Sequence, residues 1–317
     1  MRLMSKPSPL LHLAAILLLV VPAVFLMTSG DAPAQVPAGA TAPRVPLADF
    51  PPVAGSAAER GRGVYARYCI GCHGPEGAGD GPAARWLSPP PRNFQSGRFK
   101  FRSTPTGEFP TDADLLRTVT CGLAGSAMPG FPLVPESDRR DVVAYVQHLA
   151  ALGLARREVD YLVTEEGESY ESLRGARLAE IRAEAEQRVH GAQPMAVPPA
   201  PAATPESIAR GKDVFDRLCA PCHGVGGRGD GPSSYTLRDW KDAEIRPRDF
   251  TTGVFRAGSS PRDLYMRLRG GLMGTPMPAI PGSDQEIWDQ VHYILSMRDP
   301  DAVTPHVPAG CGGESTR

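Results

Sequence analysis

Apolar residues recur at helical spacing along most of the chain, and polar caps mark where each run starts. Ser56-x-x-Glu59 reads as a capping box ahead of Gly61, Tyr65 and Cys69, which lie four apart on one face. Thr204-Pro205 opens a matching run through Gly211, Phe215 and Cys219, with proline at the first helical position. Shorter helices open at Thr111-x-x-Asp114 and Ser260-Pro261-x-Asp263. Ser137 precedes Val142, Val143, Tyr145, Val146 and Leu149, and Ser283-x-x-Glu286 precedes Ile287, Trp288, Val291, Ile294 and Leu295. Nothing alternates with period two for long, so the pattern predicts an all-α fold.

Two of these helices contain a glycine, which costs about 1 kcal/mol relative to alanine. Gly61 and Gly211 therefore predict close approach by another backbone, and the two long C-terminal helices are the candidates. Between the halves, residues 165–189 are loaded with Glu and Arg around a narrow apolar stripe of Leu173, Leu178, Ile181, Ala185 and Val189. This predicts a helix of about 25 residues, about 37 Å long. It holds the halves apart, folds back as a clasp across both domains, or stands as a solvated charged helix. A Pro/Ala tether, 193–203, follows it.

The halves are copies of one another. Gly61-x-x-x-Tyr65-x-x-x-Cys69 matches Gly211-x-x-x-Phe215-x-x-x-Cys219, and Gly79-Asp80-Gly81-Pro82 matches Gly229-Asp230-Gly231-Pro232, both displaced by 150 positions. Pro91-Arg92-Asn93-Phe94 answers Pro247-Arg248-Asp249-Phe250 at an offset of 156, and Gly122-Leu123 answers Gly271-Leu272 at 149. The offsets describe a duplication whose loops have drifted.

Four of the six cysteines lie in two Cys-x-x-Cys-His words, Cys69 to His73 and Cys219 to His223. Zinc would need a second ligand pair nearby, and no further Cys-x-x-Cys lies close to either. The words instead predict two covalently bound heme c groups, each held by two thiols with the adjacent histidine on the iron. In the first half, Met128 is the only methionine between Cys69 and Ala150, and it lies 55 positions after His73. Of Met266, Met273, Met277 and Met297 in the second half, only Met277 shares the Met-Pro context, 54 positions after His223. Proline biases the preceding residue toward extended backbone, which suits a loop laid over the far heme face. The metal ligands expected are thus His73 and Met128 at one iron and His223 and Met277 at the other. That pair raises the potential and leaves no open coordination position.

With Gly-x-x-x-aromatic-x-x-x-Cys-x-x-Cys-His followed by Met-Pro in both halves, the chain resembles the class I cytochrome c family in tandem, diheme form. The resemblance implies an N-terminal helix carrying the heme-binding word, a C-terminal helix crossing it, and a methionine loop closing the opposite face. It also implies that a proline carbonyl orients each proximal imidazole; Pro91 and Pro247 are the candidates, with Pro82 and Pro232 next. The fold expected is two tandem class I cytochrome c domains joined by a charged helical linker. The chain then divides into 1–34, a signal peptide or membrane anchor; 35–54, a Pro/Ala-rich spacer; 55–152, the first cytochrome c domain; 153–203, the linker; 204–300, the second domain; and 301–317, a tail.

Arg2 and Lys6 precede an apolar run from Leu10 to Met27, and Ala32-Pro33-Ala34 offers small residues for cleavage. The run is long for a removable signal and short for a membrane span, so either outcome is open, with the domains facing the periplasm in both. In that compartment the two remaining cysteines, Cys121 and Cys311, either pair and strap the tail onto the first domain or stand as a small buried residue and a loose thiol. His148, His190, His292 and His306 are read as ordinary helix or linker residues rather than ligands. Arg92, Arg98, Lys100 and Arg102, and Arg246, Arg248 and Arg256, are candidates to neutralise heme propionates.

A formal charge of -1, with no basic stripe and no Gly-rich phosphate loop, argues against nucleic-acid and nucleotide partners. The function expected is that of a non-enzymatic periplasmic electron-transfer protein. It exchanges electrons by outer-sphere transfer with redox protein partners, as a shuttle or as the cytochrome subunit of an oxidoreductase complex, membrane-bound or not. The alternative is a diheme peroxidase, which requires one iron to be open to peroxide.

Overall fold

The computed structural model describes residues 49–302 and Cys311. The expected signal or anchor and most of the spacer and tail, His306 among them, lie outside the described residues. Helices dominate: α1 (Ala57–Tyr68), α2 (Ile70–His73), α3 (Asp112–Cys121) and α4 (Glu136–Thr164), then α5 (Tyr170–Leu173) and α6 (Ala176–His190), then α7 (Pro205–Leu218), α8 (Ala220–His223), α9 (Pro261–Gly270) and α10 (Asp284–Ser296). Among the described residues there is no strand, only one isolated bridge between Arg238 and Glu244. None of these helices is long and apolar enough to cross a membrane.

The caps that mark the sequence runs form as hydrogen bonds. Reciprocal capping boxes close Thr111 with Asp114, Thr204 with Ser207, Ser260 with Asp263 and Ser283 with Glu286. At α1 the box is half made: Ser56 Oγ accepts from the Glu59 amide, while the Glu59 carboxylate turns to the Gly55 amide at 2.7 Å. Helix α4 starts one residue before Ser137, behind Pro135, with no side-chain cap.

In each half the first helix packs against the last, α1 against α4 and α7 against α10. The two glycines are the reason they can meet. A Cβ on Gly61 would lie 1.9 Å from the Asp141 carbonyl oxygen, and one on Gly211 would lie 2.0 Å from that of Asp289. Each crossing is clamped by the preceding arginine, Arg60 forking onto Asp141 at 2.8 Å and Arg210 onto Asp289 at 2.7 and 2.9 Å. Two cores result, one around Tyr65, Tyr145, Leu149 and Leu152, the other around Phe215, Tyr265, Ile287 and Val291.

The linker departs from the single rod expected over 165–189. Helix α4 runs on to Thr164, and the charged segment breaks at Gly175, whose φ of 86° is left-handed, into the short α5 and the 15-residue α6. At that length α6 is about 22 Å long. It folds back on α4, and all five stripe residues, Leu173, Leu178, Ile181, Ala185 and Val189, are buried. The clasp therefore belongs to the first domain. Beyond it the tether touches both halves: the Met195 amide donates to Ser103 O at 2.8 Å, and Pro201 O accepts from His292 Nε2 at 3.2 Å.

His148 is no surface histidine. It is 5% exposed, its Nε2 donates to Phe50 O at 3.0 Å, and burial, helped by Arg182, pushes its imidazole down to about 4. A folded value below the ordinary 6.5 means that the unfolded chain binds the proton more readily between those values, so stability falls as pH drops through the window. At 1.36 kcal/mol per unit the loss is about 3 kcal/mol. Between pH 6.5 and 4, wild type is expected to lose about that much more unfolding free energy than His148→Gln. Parallel denaturation curves for the two proteins would contradict the assignment.

Candidate functional site

Each Cys-x-x-Cys-His word forms a tight helical turn at the end of the first helix of its half. Cys69 closes α1 and opens α2, with the Cys72 and His73 amides donating to its carbonyl at 3.2 and 2.9 Å. Cys219, Cys222 and His223 repeat this at 3.1 and 2.8 Å. The Gly-Asp-Gly-Pro segment wraps the turn. A Cβ on Gly81 would lie 2.5 Å from Gly71 O, and one on Gly231 would lie 2.4 Å from Pro221 O. Burial, and then the partner thiol, push Cys69 and Cys219 up to about 11, which favours the protonated thiol in the protein alone. Among the described residues no cluster of three or more His, Cys, Asp or Glu gathers to hold a free metal ion.

The imidazoles are oriented as a metal ligand requires. His73 Nδ1 lies 3.0 Å from Arg92 O and His223 Nδ1 lies 3.3 Å from Arg248 O. A carbonyl only accepts, so Nδ1 carries the proton and the Nε2 lone pair is free for a metal. Burial pushes both rings below the ordinary histidine value, which favours the neutral form. The acceptors are one residue beyond the prolines expected. The carbonyls of Pro91 and Pro247 are instead turned to Gly79 and Gly229, where a Cβ would meet them at 2.6 and 2.7 Å. Each imidazole also stacks on the phenylalanine two residues further on, His73 on Phe94 with ring centroids 4.5 Å apart and His223 on Phe250 at 4.5 Å. The Pro-Arg-x-Phe repeat contained both roles, and only its recurrence was legible.

The two methionine loops also match. Met128 N donates to Ser126 Oγ at 3.3 Å and Met128 O accepts from Leu123 N at 3.0 Å; Met277 N donates to Thr275 Oγ1 at 3.2 Å and Met277 O accepts from Leu272 N at 3.1 Å. Each hydroxyl also donates back across the loop, at 2.7 Å, to the carbonyl of Leu123 or Leu272. Gly122 and Gly271, with φ of 67° and 58°, press the loop base together, since a Cβ at either would lie within 2.7 Å of the chain just after the methionine. Met277 packs on the core that holds Cys219. Met128 lines a cavity of about 260 Å³ with Phe101, Thr118 and Leu123.

The candidate cations separate into two groups. Arg102, 6% exposed, spends its guanidinium on the carbonyls of Phe99, Pro105, Gly270 and Gly271. Arg98 lies over the Trp240 ring at 4.8 Å, and Arg246 pairs with Glu244 near the surface. Arg92, Lys100, Arg248 and Arg256 are half-buried and make no salt bridge with a described residue. Burial, then Arg92 and Arg256, push Lys100 down to about 8, and burial, then Arg248, push Arg256 down to about 10. Asp239 lies near Arg92 and Lys100, and Asp249 near Arg248, without forming an ion pair, and half-buried cations gathered in this way suit an anionic group. The residues present therefore fit heme, which brings a metal for the imidazole, vinyl carbons for the thiols and carboxylates for these cations.

The domains are also tied to each other. Arg117 of α3 forks onto Asp263 of α9, with Nη2 to Oδ2 at 2.9 Å, and Thr106 Oγ1 donates to Gly270 O at 2.7 Å. A disulfide joins Cys121, at the end of α3, to Cys311 of the tail. Of the two outcomes left open by the sequence, pairing is the one realised.

Comparison with known proteins places this geometry in a family. The family model for Cytochrome c matches residues 58–150 and again 208–298. A chain of the Kuenenia stuttgartiensis reducing HAO-like protein complex Kustc0457/Kustc0458 is similar at 37% identity and a TM-score of 0.61, over 76% of this chain and 96% of that one. No curated protein matches.

Proposed function

Since the chain belongs to the cytochrome c family twice over, and domains of that family carry covalent heme c, we propose that it is a periplasmic diheme electron carrier. Cys69 and Cys72 hold the first heme and Cys219 and Cys222 the second. His73 and Met128 ligate one iron, and His223 and Met277 the other. Each heme supplies a one-electron couple. The chain's own residues fix what that couple can do: Arg92 and Arg248 carbonyls lock the imidazole tautomer, and Ser126 and Thr275 lock the methionine loops. With an imidazole and a thioether from the protein to hold each iron, neither heme would offer a place for substrate, and transfer would be outer-sphere.

The observation that carries the reading is the repetition of one constellation at both ends of the chain. In each half an imidazole, buried at His73 and half-buried at His223, faces a carbonyl and stacks on a phenylalanine, and a hydroxyl-locked Met-Pro loop follows. A peroxidase would differentiate its two sites. The similar chain comes from an HAO-like protein complex, which supports work as the cytochrome subunit of a larger oxidoreductase assembly rather than as a free shuttle. Purified from its native source, the protein is expected to migrate within an assembly on gel filtration. Its irons should be reduced and reoxidised reversibly, without taking up carbon monoxide or turning over peroxide. Rapid peroxide turnover by the isolated chain would overturn the reading.

A further inference from the structure

The base of the Met277 loop is gripped by the other domain. Helix α9 ends at Gly270, and at Gly271 an added Cβ would lie 2.6 Å from Ala279 N and 2.7 Å from Pro278 C, so residues 270–272 and 277–279 form the two sides of that base. A helix leaves its last carbonyls without partners in its own backbone. Here the first domain supplies them: Arg102 donates to Gly270 O from Nη2 at 2.6 Å and to Gly271 O from Nη1 at 3.5 Å, and Thr106 Oγ1 donates to Gly270 O at 2.7 Å. The buried guanidinium also faces the negative end of the α9 dipole. Arg98 of the first domain adds a further contact. It lies over the Trp240 ring, and a Cβ on Gly274, within the loop, would lie 2.7 Å from Trp240 Cδ1 and 3.4 Å from Arg98 Cδ.

The reverse crossing is made at the first loop. Arg256 of the second domain donates to Gly125 O from Nε and Nη2 at 3.3 and 3.2 Å, and Gly125 lies between Leu123 and Met128, whose backbone groups close that loop at 3.0 Å. Gly270 stands where the first copy has Cys121, so the matching point of the Met128 loop is anchored by the disulfide instead. We propose, on the diheme reading above, that Arg102 and Thr106 of the first domain are positioning residues for Met277 of the second, and Arg256 of the second for Met128 of the first. A loop already fixed in its binding conformation leaves no ordering cost to be met when its side chain takes up a ligand position. The packing of one domain on the other thereby enters the axial ligation of both irons.

The test is hydrogen exchange of the full-length holoprotein at the Leu272 and Leu123 amides, which close the two loops, joined to an equilibrium redox titration in which each heme is followed by its own axial-methionine resonance, assigned from the single variants at Met128 and Met277. Thr106→Val removes the hydroxyl that donates to Gly270 O and changes no charge. It is expected to speed exchange at Leu272 by about fivefold and to lower the midpoint potential of the second heme, with Leu123 exchanging as in wild type. Arg102→Met should speed Leu272 by more than about tenfold, since a charged donor is lost. Arg256→Met should give the opposite pattern, at Leu123 and the first heme. If Arg102→Met does not fold, Thr106→Val, at an exposed position, carries the test alone. Unchanged exchange at Leu272 in Thr106→Val, or a shift confined to the first heme, overturns the brace while leaving two working hemes. Crossed exchange in a chain that binds no heme keeps the brace and overturns the electron-carrier reading.

Discussion

Replacing Met277 with alanine is expected to lower the midpoint potential of the second heme by on the order of 0.2 V, a fraction of the span over which axial ligands set heme potentials. Met128→Ala should do the same at the first heme. A thioether favours the reduced iron, and its loss removes that preference and opens a coordination position. The loop itself should survive, because Thr275 and the Leu272 amide hold it through the backbone of residue 277, which alanine keeps. The variant is therefore expected to keep its helix content and bind carbon monoxide at one iron, read as a half-amplitude change in the reduced spectrum. A variant with unchanged potentials and no carbon monoxide binding would show that Met277 is core packing and that the ligand lies elsewhere.

The second large effect is steric. Gly211→Ala is expected to destabilise the second domain by about 3 kcal/mol or more, at the upper end of what overpacking costs. The added carbon would meet the Asp289 carbonyl oxygen at 2.0 Å, and that atom belongs to helix backbone and cannot turn aside. Helices α7 and α10 would have to part, loosening the Arg210–Asp289 fork and the packing around Phe215. Gly61→Ala, at 1.9 Å from Asp141 O, should cost the first domain as much. Gly63→Ala is the control: it lies in the same helix with nothing within 4 Å, and there the change should stabilise by about 1 kcal/mol. Urea denaturation of the three variants checks the series, and equal midpoints for Gly61→Ala and Gly63→Ala would contradict the crossing.

Much of this was legible because the duplication reports everything twice. Gly61 and Gly211 predicted a close helix crossing, and both sit against the backbone of the last helix of their half. The apolar stripe over 165–189 named the five residues that become buried, yet not the helix that buries them. A periodic stripe records which face is covered and says nothing of the cover, and the left-handed turn at Gly175 that folds α6 back on α4 is a single residue with no period. The histidine acceptors were missed by one position, since a carbonyl belongs to every residue alike and only geometry picks Arg92 over Pro91. His148 lies in a helix as its spacing predicts, yet helical spacing does not reveal that Phe50 and Arg182 approach it. The seam was the least legible part: Arg248 and Arg256 read as cations of their own domain, and only the packing of one half on the other turns them toward Gly125.

The central claim is that two hemes are covalently held, one at each turn. Mass spectrometry of peptides from the denatured protein tests it most directly. Peptides spanning Cys69 to His73 and Cys219 to His223 should each carry the mass of one heme through two thioether bonds. Both peptides recovered unmodified, with free thiols, would contradict the account.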